Sequence, residues 1–306
     1  MQAPSSSTDP VLGISGQNVV LDNLTISGGV RSVFSHFGGS FAGSGVVIEG
    51  ASDIDLVVSG SKAALTDSTI QNSANIGAEA VNGGSLALTG GVVQGNAGNG
   101  VQAGNGGSVI IQGGGLLQNN GGSGGLAFDG GSIWVEGGTV QNNGTAGVYS
   151  AGLLADGGGA VQVQGSNSSV VNNVLEGVAA IGGGVVTLNG GIVANNSGHG
   201  VHVTSGGTAF IFGGATVQSN THDGVNVANG NLQITGGTVQ NNKGNGIYLG
   251  LNSVGSFPGP ATSQIINNSL WGILCAAAPS NPLIAANGKE TVSGNGSGQI
   301  SCNIGN

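Results

Sequence analysis

The chain reads as short runs in which apolar and polar residues alternate, three runs to a period, separated by Gly and Asn. One run closes each period: TIQN, VVQGN, LLQNN, TVQNN, VVNN, IVANN, TVQSN, TVQNN and IINN end at Asn72, Asn96, Asn120, Asn143, Asn173, Asn196, Asn220, Asn242 and Asn268. Most of these Asn lie about 23 residues apart, and a fixed period in the twenties is the mark of a solenoid. After each Asn comes a turn and a second run of the form G-V-x-V, at 101–103, 126–128, 201–203, 225–227 and 247–249. A third run ends in Gly-Gly, as in SLALTGG, SVIIQGG, SIWVEGG, VVTLNGG, TAFIFGG and NLQITGG. Alternation sends one side chain inward and the next outward. It predicts Val101, Leu126, Val201 and Val225 inside, with Gln102, His202 and Asn226 outside.

Each run is too short to bury its apolar face alone, so the coils must stack. Gly supplies turn residues with positive φ, and Asn tolerates the left-handed region and can hydrogen-bond its equivalent in the next coil. Parallel crossovers are overwhelmingly right-handed. The expected fold is all-β: a right-handed parallel β-helix of three parallel sheets, with coils of about 23 residues. With its V-x-N turn and three-strand coil, the chain resembles the right-handed parallel β-helix repeat proteins of the pectate-lyase-like superfamily over residues 16–302. That superfamily holds polysaccharide lyases, glycoside hydrolases, esterases, tailspikes and adhesins. Both ends of a solenoid need covering, and the expected organisation is a single domain over 1–306, with 1–15 as an N-terminal extension and 275–302 as a C-terminal cap. The aromatic segment RSVFSHFGGSF, with Phe34, Phe37 and Phe41, reads as a cap or a side loop, and the lengthened coils near 144–151 and 251–263 as insertions that can wall a groove.

Composition sharpens this picture. The 306 residues include 66 Gly but only 6 % charged side chains against 38 % hydrophobic ones, so the Gly content belongs to a repeat and not to a disordered chain. The four basic residues, Arg31, Lys62, Lys243 and Lys289, are scattered among 13 acids, and the net charge is −9. Nucleic-acid binding needs basic residues gathered on one face, and no such partner is expected. No apolar run is long enough to span a membrane, and MQAPSSSTDP has neither the basic start nor the apolar core of a signal peptide. Cys275 and Cys302 lie about one coil apart, and stacked coils are about 4.8 Å apart, within reach of a disulfide. A bridge there points to an oxidising compartment, so the chain is expected to be secreted or on the cell surface.

Aligned coils bring the scarce reactive side chains together. The residue before the Gly of G-V-x-V reads Asn99 and then, in later coils, Glu176, His199, Asp223, Asn245 and Trp271. Three positions on, the outward row reads Gln102, Ala179, His202, Asn226, Tyr248 and Leu274. His222 precedes Asp223, and Lys243 lies one coil further. Three of the four His thus fall in two neighbouring coils. The chain is similar here to the polygalacturonase-like glycoside hydrolases, whose N-T-D, D-D and G-H-G motifs occupy this row. It carries Gly198-His199-Gly200 and Asn220-Thr221-His222-Asp223-Gly224, but the order is inverted, the paired Asp-Asp is missing and no R-I-K follows.

Three functions compete for this cluster. The first is catalysis on polysaccharide, with Glu176, His199 and Asp223 as catalytic residues and His202, His222, Lys243, Tyr248 and Trp271 binding substrate. Glu176 and Asp223 are two coils apart, about 9.6 Å along the backbone, and inverting glycosidases separate their carboxyls by about 6.5–9.5 Å. Proton abstraction next to a uronate carboxyl by His or Tyr would instead make a lyase. The second is a metal site, with His199, His202, His222 and Asp223 as possible ligands; His199 and His202, three apart on a strand, would face opposite sides unless the turn intervenes, no metal is assigned, and the sequence names no cofactor. The third is a non-catalytic surface, adhesion or structural protein. A second outward patch joins Ile110 and Trp134 to Gln112, Glu136, Gln162 and Gln164, with Phe210 and Phe212 in a later coil; it suits sugar stacking or cover by a partner.

Overall fold

The computed structural model describes residues 1, 10–145, 150–259, 261–276, 283–286, 290–302 and 304–305. Its described secondary structure is entirely strand. The first sheet stacks thirteen strands from Leu12–Ile14 to Gly298–Ile300, the middle sheet thirteen from Val19–Asp22 to Ile304–Gly305, and the third twelve from Thr25–Ser27 to Glu290–Ser293. Each strand pairs in parallel with its equivalents in the coils before and after, as when Val201 of the first sheet lies between Val178 and Val225. The solenoid expected from the period is therefore the fold. The first strand, Leu12–Ile14, falls inside the segment 1–15 expected as an extension, and Gly298–Ile300 inside the expected cap at 275–302. Lys289 and parts of the segments at 144–151 and 275–302 lie outside the described residues.

The core follows from alternation. Val109, Ile111, Ile133, Val186, Leu188 and Ile211 turn inward from the middle sheet and are buried. Each fully buried side chain of this kind contributes about 1.5–3 kcal/mol relative to exposure. The register corrects one expectation. Val101 pairs with Gly125 and Gln102 with Leu126, so Leu126 faces outward. There it packs with Ala151, Leu154, Ala179 and Ile181 in a small apolar cluster. RSVFSHFGGSF is neither cap nor side loop. Arg31–Ser35 and Ser40–Ser44 are regular strands of consecutive sheets, Phe41 enters the core, and Phe37 sits at φ 53° on the turn between them, 87 % exposed.

The corner between the third and first sheets is held by a buried ladder of Asn. Asn196 Nδ2 donates to Asn220 Oδ1 at 3.0 Å and to the Val170 carbonyl at 3.3 Å, while its Oδ1 accepts the backbone N–H and Nδ2 of Asn173. The pattern repeats from Asn96 to Asn268 and runs on to Asn295, which the sequence period did not include. Asn72 is not a rung. It takes positive φ (62°), the conformation also held by Asn119, Asn142, Asn195 and Asn267 in later coils, and Ser73 stands at the ladder position. The Gly of G-V-x-V is required for another reason than turn conformation. A Cβ on Gly200 would lie 2.6 Å from Asn220 Nδ2 and 2.4 Å from Val217 Cγ1, so the small residue makes room for the ladder.

Where the ladder is missing, the room is filled from the other side. Ala51 stands at the ladder position and Asp55 at the Gly position, in register with Gly77. Asp55 Oδ1 accepts the Ala51 N–H at 2.8 Å and lies 3.4 Å from Ser32 Oγ, doing within one coil what the Asn does between coils. Its Oδ2 is buried without a partner. Burial pushes this carboxyl up from 3.8 to about 7; the Ala51 N–H and Ser32 bonds oppose the rise, and the charge of Glu49 adds to it. The Cys275–Cys302 bridge predicted from the spacing is formed, with Cα atoms 5.1 Å apart across successive coils of the first sheet.

Two outcomes test these contacts. Replacing Asn196 by Leu should lower stability by about 1–3 kcal/mol, the cost of leaving buried partners unpaired; an unchanged denaturation midpoint contradicts the ladder. Asp55 binds its proton more tightly in the folded chain, so its contribution is fully present below about pH 4 and is lost as pH rises to about 7. Asp55→Asn, neutral throughout, should therefore raise stability at pH 7 by on the order of 1–4 kcal/mol and flatten that part of the urea-midpoint profile.

Candidate functional site

The row that carries Asn99, Glu176, His199, Asp223, Asn245 and Trp271 lies on the outer side of the same corner, and it is a second ladder. Broken only at Ala151, the polar side chains from Asn99 to Asn245 each accept the backbone N–H of their equivalent one coil on. Asn99 Oδ1 accepts from Ser123 at 2.7 Å, Ser123 Oγ from Ala151 at 3.1 Å, Glu176 Oε2 from His199, His199 Nδ1 from Asp223 at 3.1 Å, Asp223 Oδ1 from Asn245 at 2.7 Å, and Asn245 Oδ1 from Trp271 at 3.1 Å. The three residues expected to be catalytic are thus consecutive rungs. Glu176 and Asp223 are each 9 % exposed.

The remaining acceptor sites face the neighbouring outward row. Glu176 Oε1 lies 3.6 Å from His202 Nδ1. Asp223 Oδ2 accepts Asn226 Nδ2 at 2.9 Å and lies 3.5 Å from His199 Nδ1, and Asp223 Oδ1 accepts Asn245 Nδ2 at 2.8 Å. The corner at Gly200 does intervene between His199 and His202: their ring centroids are 5.5 Å apart, and that of His222 lies 5.3 Å from His199. Tyr248, half-buried, pairs in register with Asn226. Lys243 is exposed on the turn beyond His222. Trp271 ends the row, with its ring against the last coil, where a Cβ on Gly298 would lie 2.3 Å from it. Asn226 and Asn245 belong to the site although the sequence reading gave them no role; their signal was an amide stacked beside Asp223 in each row. Among the described residues, no three His, Cys, Asp or Glu side chains converge as metal ligands.

Burial alone would raise the Glu176 carboxyl, but the imidazole of His202 and the charge of His199, with the backbone N–H of His199, outweigh it and hold it below its ordinary value. Burial lowers His199, and the pull of Glu176 and Asp223 does not restore it. Burial thus favours the neutral form of His199. Its Nδ1 accepts the Asp223 N–H, so its proton sits on Nε2. The glycines of the G-H-G motif have packing causes as well. A Cβ on Gly198 would lie 2.6 Å from Glu176 Oε2, and Gly200 clears the Asn ladder.

The right-handed β-helix region family model matches residues 44–221, and the chain belongs to that family. Its fold is similar to a point mutant of the periplasmic alginate epimerase AlgG, at TM-score 0.56 and 13 % identity over 90 % of this chain and 75 % of that one. It is similar as well to the A-module of the Azotobacter vinelandii mannuronan C-5 epimerase AlgE6, at TM-score 0.52 and 14 % identity over 94 % and 90 %. PfbA, a surface adhesin of Streptococcus pneumoniae, aligns at TM-score 0.42 and 13 % identity over 88 % and 84 %. No curated relative matches the chain in sequence.

The second ladder has a distinct signature. Glu176→Ala leaves the His199 N–H without its partner and should cost about 1–3 kcal/mol. Glu176→Gln keeps an acceptor there. A depressed carboxyl stabilises above its ordinary 4.5 and loses that contribution as pH falls through its folded value. A depressed His199 acts in the same direction, its contribution present above 6.5 and lost below. Asp55 contributes the opposite slope, so the test is made in the Asp55→Asn background: there urea midpoints should fall on acidification, and less steeply when Glu176→Gln is added. Equal slopes would show that Glu176 is not held ionised by its neighbours.

Proposed function

We propose that this β-helix interacts with polysaccharide through the outer face of its first sheet, with the sugar chain along the solenoid axis over His202, Asn226 and Tyr248. The observation that supports it most is the gathering of three imidazoles, two carboxylates and an amide within three successive coils of a surface that is otherwise nearly uncharged. The imidazole and amide edges supply donors and acceptors for hydroxyl groups, and Tyr248 an apolar edge beside them. Neighbours of TM-score above 0.5 include epimerases of alginate and mannuronan, which agrees with a polysaccharide ligand on this fold. The disulfide agrees with a secreted or surface location.

The geometry favours contact over hydrolysis. An inverting hydrolase needs one protonated carboxyl, and Glu176 is held below its ordinary value while both its oxygens face partners. Glu176, His199 and Asp223 serve this reading as the rigid base of the site. Proton abstraction from a uronate by His202, His222 or Tyr248 is the chemistry that the outward side chains could carry, with Lys243 as the cation nearest in the sequence pattern. The second reading, a non-catalytic surface or adhesion protein, is favoured by the ladder itself, which gives every one of those three residues a structural task.

A panel of neutral and uronic-acid polysaccharides, followed for binding, for new reducing ends and for unsaturated products, separates these readings. Binding of at least one member should weaken tenfold or more in His202→Ala and in Tyr248→Ala, with a cooperative thermal transition in each variant to show that the fold is kept. Unsaturated or epimerised product in addition would assign an enzyme; new reducing ends without unsaturation would assign hydrolysis. Binding to no member of the panel would overturn the proposal.

A further inference from the structure

The outer face of the middle sheet carries a feature that the first-sheet site does not use. Trp134 projects from it and is 44 % exposed. In its row, Ile110 lies one coil before and Gln162 one coil after. Gln112, Glu136 and Gln164 form the row on one side, at the same one-coil interval, and Ser108 and Ser132 stand in the row on the other. The amides are fixed: Gln162 Nε2 donates to Gln164 Oε1 at 2.6 Å and Gln112 Nε2 to Thr89 Oγ1 at 3.0 Å. The Glu136 carboxylate and the Trp134 indole N–H make no hydrogen bond among the described residues.

We infer that this face is a second glycan-binding subsite, for an uncharged chain lying along the solenoid axis with one sugar ring on Trp134. An indole face stacks on the C–H face of a hexose, and amides and a carboxylate one coil apart meet the hydroxyls at its edge. Coils repeat about every 4.8 Å, close to the length of one sugar residue in an extended glycan, so each ring meets the same kind of rim. The charge fixes the class. Glu136 is the ionic group beside Trp134, and a uronate there would meet a carboxylate with no cation to offset it. The track continues from Ile110 over Ala87 and Ala64 into a cavity of about 450 Å³ that Ser40, Lys62 and Ser85 also line. That gives the chain room on the N-terminal side of the platform. The inference does not depend on the first-sheet reading.

The protein has two Trp, so Trp271→Phe leaves Trp134 as the fluorophore. Cellohexaose titrated into that variant should change the emission saturably, and calorimetry on the wild type should show the affinity falling tenfold or more in Trp134→Ala and recovering in part in Trp134→Phe. Hexamannuronate should leave the Trp134 emission unchanged, and His202→Ala should leave the cellohexaose response intact, which keeps this site separate from the first-sheet one. The exposed position makes folding of the variants straightforward to confirm from thermal midpoints. Silence of Trp134 at millimolar cellohexaose, or unaltered affinity in Trp134→Ala, overturns the inference. So does self-association in sedimentation that Trp134→Ala abolishes and cellohexaose does not affect, which would give the face to a second copy of the chain.

Discussion

The fold depends on catching the backbone N–H at the corner where the third sheet turns into the first. Strand pairing satisfies the groups within each sheet, but at this corner the chain turns while its polar backbone stays buried. An unpaired N–H there costs about 1–3 kcal/mol in every coil. The Asn amide answers with one acceptor for the N–H of the preceding coil and two donors, one for the next amide and one for a carbonyl. Because each rung satisfies its neighbours, the coil length, the Gly beside the ladder and the inward Val all become dependent on it. The coil with Ala51 shows the constraint by its exception, since Asp55 enters from the Gly position to supply the acceptor.

The outer side of the corner meets a similar demand with more freedom. One lone pair at the right height is enough, and Asn99, Ser123, Glu176, His199, Asp223 and Asn245 all provide it. A row of this kind can hold reactive side chains without loss of the fold, and it fixes their spacing at the coil repeat. The same hydrogen bonds restrain their chemistry. The neighbouring imidazoles and the His199 N–H hold the Glu176 carboxyl below its ordinary value, burial lowers His199, and His202, Asn226 and Tyr248 form the outward row beside them.

The sequence by itself determined the solenoid, its three sheets, most rungs of the Asn ladder, the disulfide and the rows that stack Glu176, His199 and Asp223. All of these rest on period and alternation, which are local and repeat. The tertiary structure decided what a pattern of residue types cannot carry. Register turned Leu126 outward and replaced Asn72 by Ser73, because a shift of one residue at a corner exchanges the faces. Packing gave Gly200 and Gly198 their cause, a neighbour's amide and a neighbour's carboxylate, where the string shows only small residues. The direction of each lone pair made Glu176, His199 and Asp223 rungs of a ladder, and brought His199 beside His202 across a corner that strand alternation alone would have kept apart.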